Sequence, residues 1–261
     1  MLFSMGIDIR WHPSDRARLP RSPFLMISNH RSFLDAPVLM AAAARPVHFA
    51  CHHYMAQVPI MRNIVDALGC FPLDAPSQRG RTFFKQATSF LKSQASIGIF
   101  PEGTGPMVAM TQADEVGPFH RGFAHLALRA SLSSSSSTAN SMENLMEQSE
   151  NHLAGNAIAQ PAVQPDLKIV PAAIISLEES RQDMVPFKVF SWFDPTEPLF
   201  QQAGRHPAVI YRRVAVVIGE PIDVSDFQGQ GYHGKRAGQV ANELSDLCHD
   251  KIQTLLKEGC Y

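Results

Sequence analysis

"PFLMISNHRSFLDAPVLMAAAA", residues 23–44, decides how the chain is read. "PFLMIS" (23–28) is an apolar run without alternation, the pattern of a strand buried on both faces, and it stops at Asn29-His30. "FLDAPVLMAAAA" (33–44) then reads as a helix, with Pro37 tolerated because it falls in the first turns. Strand, turn and helix in that order form the repeating unit of an α/β sheet.

The rest of the chain extends the pattern. "VHFAC" (47–51), "IGIF" (97–100), "LKIVPAAII" (167–175), "PFKVFSWF" (186–193) and "RVAVVIGEPI" (213–222) read as strands. In "RTFFKQATSFLKSQ" (81–94), Phe83, Phe84, Ala87, Phe90 and Leu91 recur at helical spacing; "FHRGFAHLALRA" (119–130) is a second such helix. A closing helix covers about 236–258, with Val240, Leu244, Leu247 and Leu255 along one face and Gly259 where a C-cap belongs. The expected fold is α/β: a single domain with a central, mostly parallel or mixed sheet flanked by helices.

With 261 residues, 45% apolar and 18% charged, the chain can build one substantial core. A net charge of −1 gives no basis for nucleic-acid binding. Cys51, Cys70, Cys248 and Cys260 are widely spaced, which suggests neither a zinc site nor a disulfide framework. Residues 1–20 read as an N-terminal segment without the apolar core of a signal peptide. No run of eighteen apolar residues occurs, so no membrane-crossing helix is expected; a peripheral position on a membrane stays open. Residues 131–166 contain five consecutive serines, polar filler and two prolines, and are expected to be a disordered insertion.

Within "SNHRSFLD", His30 and Asp35 lie five positions apart. On a continuous helix they would diverge by roughly 140°. With Ser32 as N-cap, Asp35 becomes N3 and its carboxylate reaches back toward the helix start, where His30 is still in the turn. The same Ser-x-x-Asp is also a plain capping box, so chemistry here needs a partner elsewhere. "IGIFPEGTGP" (97–106) offers one. A strand ends, Pro101 stops pairing, and Glu102 is presented at the carboxyl edge where open α/β sheets bind ligands.

"NHRSFLD" followed about seventy residues later by "FPEGT" resembles the glycerolipid acyltransferase family, which includes the lysophosphatidic acid acyltransferases. "GCFPLD" (69–74), "FHRGFAHLA", "IVPAAI" (169–174) and "VVIGEPI" (216–222) fall where that family's other segments do. The resemblance implies a glycerol-3-phosphate acyltransferase-like domain over 21–256, interrupted by the serine-rich insertion. It implies that His30 is the general base and that Asp35 holds its tautomer, with no metal and no cofactor beyond an acyl-CoA or acyl carrier protein donor. Glu102 would bind acceptor hydroxyls, the backbone at Gly103 and Thr104 would face oxyanion charge, and Asn29 would steady the turn. The expected setting is the cytoplasmic face of a membrane, with a lipid acceptor, 1-acylglycerol-3-phosphate by family default.

The chain departs from this family at two positions. Where arginines usually grip phosphate, it has Ala75 and Gly105. Arg79, Arg81 and Arg121 are near enough in sequence to replace them as substrate-binding groups. A lipid or glycolipid acceptor without phosphate is the alternative, and a non-catalytic lipid-binding protein is the alternative from another class. "HFACHH" (48–53) is a single histidine box and reads as strand-end polar residues. "GQGYHGKR" (229–236) lacks the strand and the hydroxyl that a phosphate-binding loop needs.

Overall fold

A computed structural model describes residues 6–56, 59–73, 79–103, 105–106, 112–131, 167–192, 201, 205–228, 232, 234 and 236–259. Side chains at 54, 56, 59–61, 79–81, 183–185, 187, 190, 206, 207 and 228 lie outside that description, as does residue 104. The expected insertion also falls outside it, except for residue 131.

The strands are β1 (Asp8–Trp11), β2 (Phe24–Ser28), β3 (His48–Cys51), β4 (Phe71–Pro72), β5 (Ile97–Ile99), β6 (Lys168–Pro186), β7 (Arg205–Ile218) and β8 (Ile222–Asp223). The main helices are α1 (Pro13–Arg18), α2 (Asp35–Ala43), α3 (Pro59–Ala67), α4 (Arg79–Lys92), α5 (122–131) and α6 (Arg236–Glu258). One sheet runs in the order β1-β7-β6-β2-β5-β3-β4, with β8 beside β6. It is mixed: β7 is antiparallel to β6, and β1, β2, β3, β4 and β5 pair in parallel.

Alternation along the strands divides the core into two layers. Leu25, Ile27, Ile97, Ile99 and Ile169 meet α4, α5 and α6, whereas Phe24, Met26, Val170, Ala172 and Ile174 meet α2. Full burial of each such side chain is worth about 1.5–3 kcal/mol, and the two layers fix the sheet between them. Gly98 leaves the space that the Phe49 ring fills: a Cβ there would lie 2.3 Å from it.

Four expectations need correction. "PFKVFSWF" is not a strand, because Phe187–Phe190 forms a helical turn just after β6 ends at Pro186. An unalternating apolar run has no periodicity by which to tell the two apart. The strand expected at 167–175 runs on to Pro186, and the one expected at 213–222 begins at Arg205 and breaks after Ile218. Residues 179–186 and 205–211 pair with each other, with register shifts on either side of Glu178 and a third before Val185. Residues 8–11, within the expected N-terminal segment, form β1 at the sheet edge.

Candidate active site

Parallel pairing of β2 and β5 places Ile27 opposite Ile99. His30 and Glu102 each lie three residues beyond that pair, so two adjacent strands deliver them to the same carboxyl edge. The Glu102 carboxylate accepts the His30 N–H at 2.9 Å through Oε1 and the Gly117 N–H at 2.6 Å through Oε2. Glu102 is buried, which raises its carboxyl above the ordinary range against the lowering effect of those two donors.

His30 Nδ1 lies 2.9 Å from Asp35 Oδ2. The same oxygen accepts the backbone N–H groups of Arg31 at 2.6 Å and Ser32 at 2.8 Å. Oδ1 accepts the Tyr211 hydroxyl at 2.7 Å. Asp35 is 0% exposed, so these four donors replace the water it gives up. A carboxylate that accepts from Nδ1 makes that nitrogen the N–H donor and leaves the lone pair on Nε2. The imidazole stacks on Phe100 with centroids 4.1 Å apart and planes 10° from parallel, and Phe100 in turn stacks on Phe49.

The local geometry differs in detail from a capping box with Ser32 as N-cap. Helix α2 begins at Asp35 with Leu34 as its cap. Half of the box forms, since the Ser32 N–H does reach the Asp35 carboxylate. The Ser32 hydroxyl accepts the Leu34 N–H and donates to the Val209 carbonyl at 2.5 Å, tying the turn to β7. Asn29 steadies the turn from the other side: its amide exchanges hydrogen bonds with the Ile174 backbone at 2.8 and 2.9 Å.

Glu102 and Gly103 both have backbone partners. Each Glu102 oxygen holds a backbone donor, so the residue mounts the His30 turn. The Gly103 N–H donates to the Phe100 carbonyl at 3.0 Å, and is thereby committed to a turn instead of facing an oxyanion. Gly103 has φ +66°, a conformation that favours glycine, and this lets the chain reverse directly after Glu102.

The remaining expected residues are less central. Arg121 donates to Asn242 on α6 at 2.7 Å. Thr104 and the side chains of Arg79 and Arg81 lie outside the described residues. Gly105 is exposed, with no described residue within 4 Å of where a Cβ would stand. Among the described residues no cluster of metal-ligating side chains occurs, and no helix is long and apolar enough to cross a membrane.

Sequence reading did not single out Tyr211, Phe100, Arg31 or Glu179 for the site. Arg31 forms a two-pronged ion pair with Glu179 at 2.9 and 2.7 Å. The Arg31 hydrogen bond holds the Glu179 carboxyl down at about 2. The Glu179 bond likewise raises the Arg31 guanidinium. A run such as "AVIYRRVAVVI" carries a strand signal that would have reached Tyr211, but no signal in it for a partner at Asp35.

A histidine whose Nδ1 is held by a buried carboxylate, on a clamped turn at a sheet edge, has the geometry that proton abstraction requires. The chain belongs to the acyltransferase family, whose model matches residues 10–175. Its fold is similar to the crystal structure of a 1-acyl-sn-glycerophosphate (LPA) acyltransferase, PlsC, from Thermotoga maritima. That likeness has a TM-score of 0.52 at 14% identity and covers 97% of this chain and 72% of that one. A comparison with curated proteins gives no match.

Proposed function

We propose that this acyltransferase moves a fatty acyl group from an acyl thioester, acyl-CoA or acyl carrier protein, to a lipid hydroxyl. The acceptor is 1-acylglycerol-3-phosphate and the product phosphatidic acid, formed at the cytoplasmic face of a membrane. The 2.9 Å contact between His30 and Asp35 carries the reading, because it leaves Nε2 free to act as a base.

Nε2 takes the proton of the acceptor hydroxyl as that oxygen attacks the thioester carbonyl carbon. The carbonyl π electrons move to oxygen, and Asp35 offsets the imidazolium charge. When the tetrahedral species collapses, the carbon–sulfur bond breaks and His30 returns the proton to the departing thiolate. The Phe100 stack keeps the ring plane fixed throughout.

A second reading is favoured by Gly105 and Ala75: the acceptor is a lipid or glycolipid without phosphate. With no guanidinium at either position, a two-pronged phosphate grip has to come from elsewhere. The test uses purified protein, labelled acyl-CoA and acyl carrier protein, and acceptors with and without phosphate. Transfer to 1-acylglycerol-3-phosphate that falls at least a thousandfold in His30→Ala supports the first reading. Transfer only to neutral acceptors supports the second. Lipid binding without turnover in either protein would overturn both and leave a lipid-binding protein.

A further inference from the structure

Glu179 on β6 and Tyr211 on β7 are direct cross-strand partners, and each holds one part of the His30–Asp35 turn. Cross-strand partners in an antiparallel pair project to the same face. Glu179 takes the Arg31 guanidinium, and Tyr211 takes Asp35 Oδ1. The two register shifts around Glu178 cancel, so Glu179 faces Tyr211 in the same register that pairs Ser176 with Val214.

We propose that Tyr211 is a positioning residue of the acyl-transfer reaction. Its hydroxyl fixes the rotation of the Asp35 carboxylate, so that Oδ2 stays on Nδ1 and Nε2 stays turned toward the acceptor. The inference rests on the function proposed above for His30.

The two carboxylate oxygens face different surroundings. Oδ2 has three N–H donors from its own turn, all within residues 30–32. Oδ1 has the Tyr211 hydroxyl, delivered from 176 residues away. Without that hydroxyl, Oδ1 would be a buried acceptor lacking the partner seen here, and the carboxylate would lose its tie to β7. Tyr211 is 1% exposed. Burial, then the adjacent Asp35, pushes its hydroxyl well above the ordinary range, so it remains a donor across the working pH range.

Holding an aromatic hydroxyl and a carboxylate in a dry interior costs more than an apolar pair of similar volume. The hydroxyl therefore contributes direction more than stability. The charged and titratable groups around Asp35 are His30 and Arg31 in its own turn, Glu102 beyond β5, Glu179 on β6 and Tyr211 on β7.

Tyr211→Phe tests this, because it removes one oxygen and keeps the ring in the core. Turnover, its pH profile and the downfield proton resonance of the His30 Nδ1–H are measured in both proteins. A carboxylate that has lost a donor is more basic and holds the imidazolium more strongly. The expected result is a kcat about tenfold lower with KM unchanged, and an acid limb displaced to higher pH. The Nδ1–H resonance should also leave its wild-type position. An unmoved resonance overturns the proposal, as does a kcat loss that only tracks the folded fraction. Should the wild-type protein turn over no acceptor, the functional reading fails, and the resonance alone decides the positioning role.

Discussion

The backbone N–H of His30 donates to the Glu102 carboxylate at 2.9 Å, so the His30 turn is mounted by a residue 72 positions away. The separation is that of the strand register, which pairs Leu25 with Ile97 and Ile27 with Ile99. A backbone bond of this kind fixes where the turn sits, while Asp35 fixes how the ring is turned.

Glu102→Gln should therefore act through the turn. A glutamine has one acceptor oxygen, so its amide nitrogen must face either the His30 or the Gly117 N–H, donor against donor. The expected outcome is a kcat 10- to 100-fold lower, with faster hydrogen exchange at those two amides. Unchanged exchange at both positions would remove Glu102 as the mount.

Asp35→Asn separates charge from geometry. An asparagine with its oxygen at the Oδ2 position keeps the three N–H donors, and its amide can donate to the Tyr211 oxygen. The variant should fold with near wild-type stability and lose about 10³- to 10⁴-fold in kcat, since a neutral amide cannot offset the imidazolium. Thermal melting read beside turnover checks both halves.

Stability should fall in acid through Glu179. Its folded carboxyl titrates at about 2, below its ordinary 4.5, because Arg31 favours the charged form. A lowered carboxyl stabilises the fold above about 4.5, and that contribution is lost as pH falls from there toward about 2. Glu179→Gln should be less stable at pH 7 by about 2 kcal/mol, allowing for partial solvent screening. Its urea midpoint should also change less between those two pH values than the wild type's. Parallel curves would contradict the assignment.

Gly105→Arg probes the acceptor. The position is exposed, and among the described residues nothing stands within 4 Å of its Cβ direction. Selectivity for a phosphate-bearing acceptor over a neutral one should rise about tenfold in kcat/KM, the scale of one added charge-assisted hydrogen bond. Equal kcat/KM ratios in variant and wild type would place the acceptor headgroup away from residue 105.

The His30–Asp35 pair was legible because it is local: five residues, a turn and a helix start confine the two side chains. Glu102 was legible because a strand that ends in Pro-Glu-Gly announces a sheet edge. Arg121, just before α5, donates to Asn242 on α6, a partner that proximity in sequence does not reveal. Tyr211 and Glu179 were missed because they lie on the parts of β6 and β7 that sequence reading left unassigned. Residues 176–183, "SLEESRQD", are polar and form a strand through their pairing with β7.

The sequence by itself determined the alternation of strands and helices, the two buried faces and the turn that holds a histidine near an aspartate. These follow from periodicity and from backbone preferences within a few residues. Tertiary structure alone decided the β2–β5 register that brings Glu102 under His30, and the cross-strand pair that sets Glu179 and Tyr211 against Arg31 and Asp35. Hydrophobic pattern specifies which face of a strand is buried. Hydrogen-bond register between distant strands, and the bulges that shift it, emerge only when the layers pack.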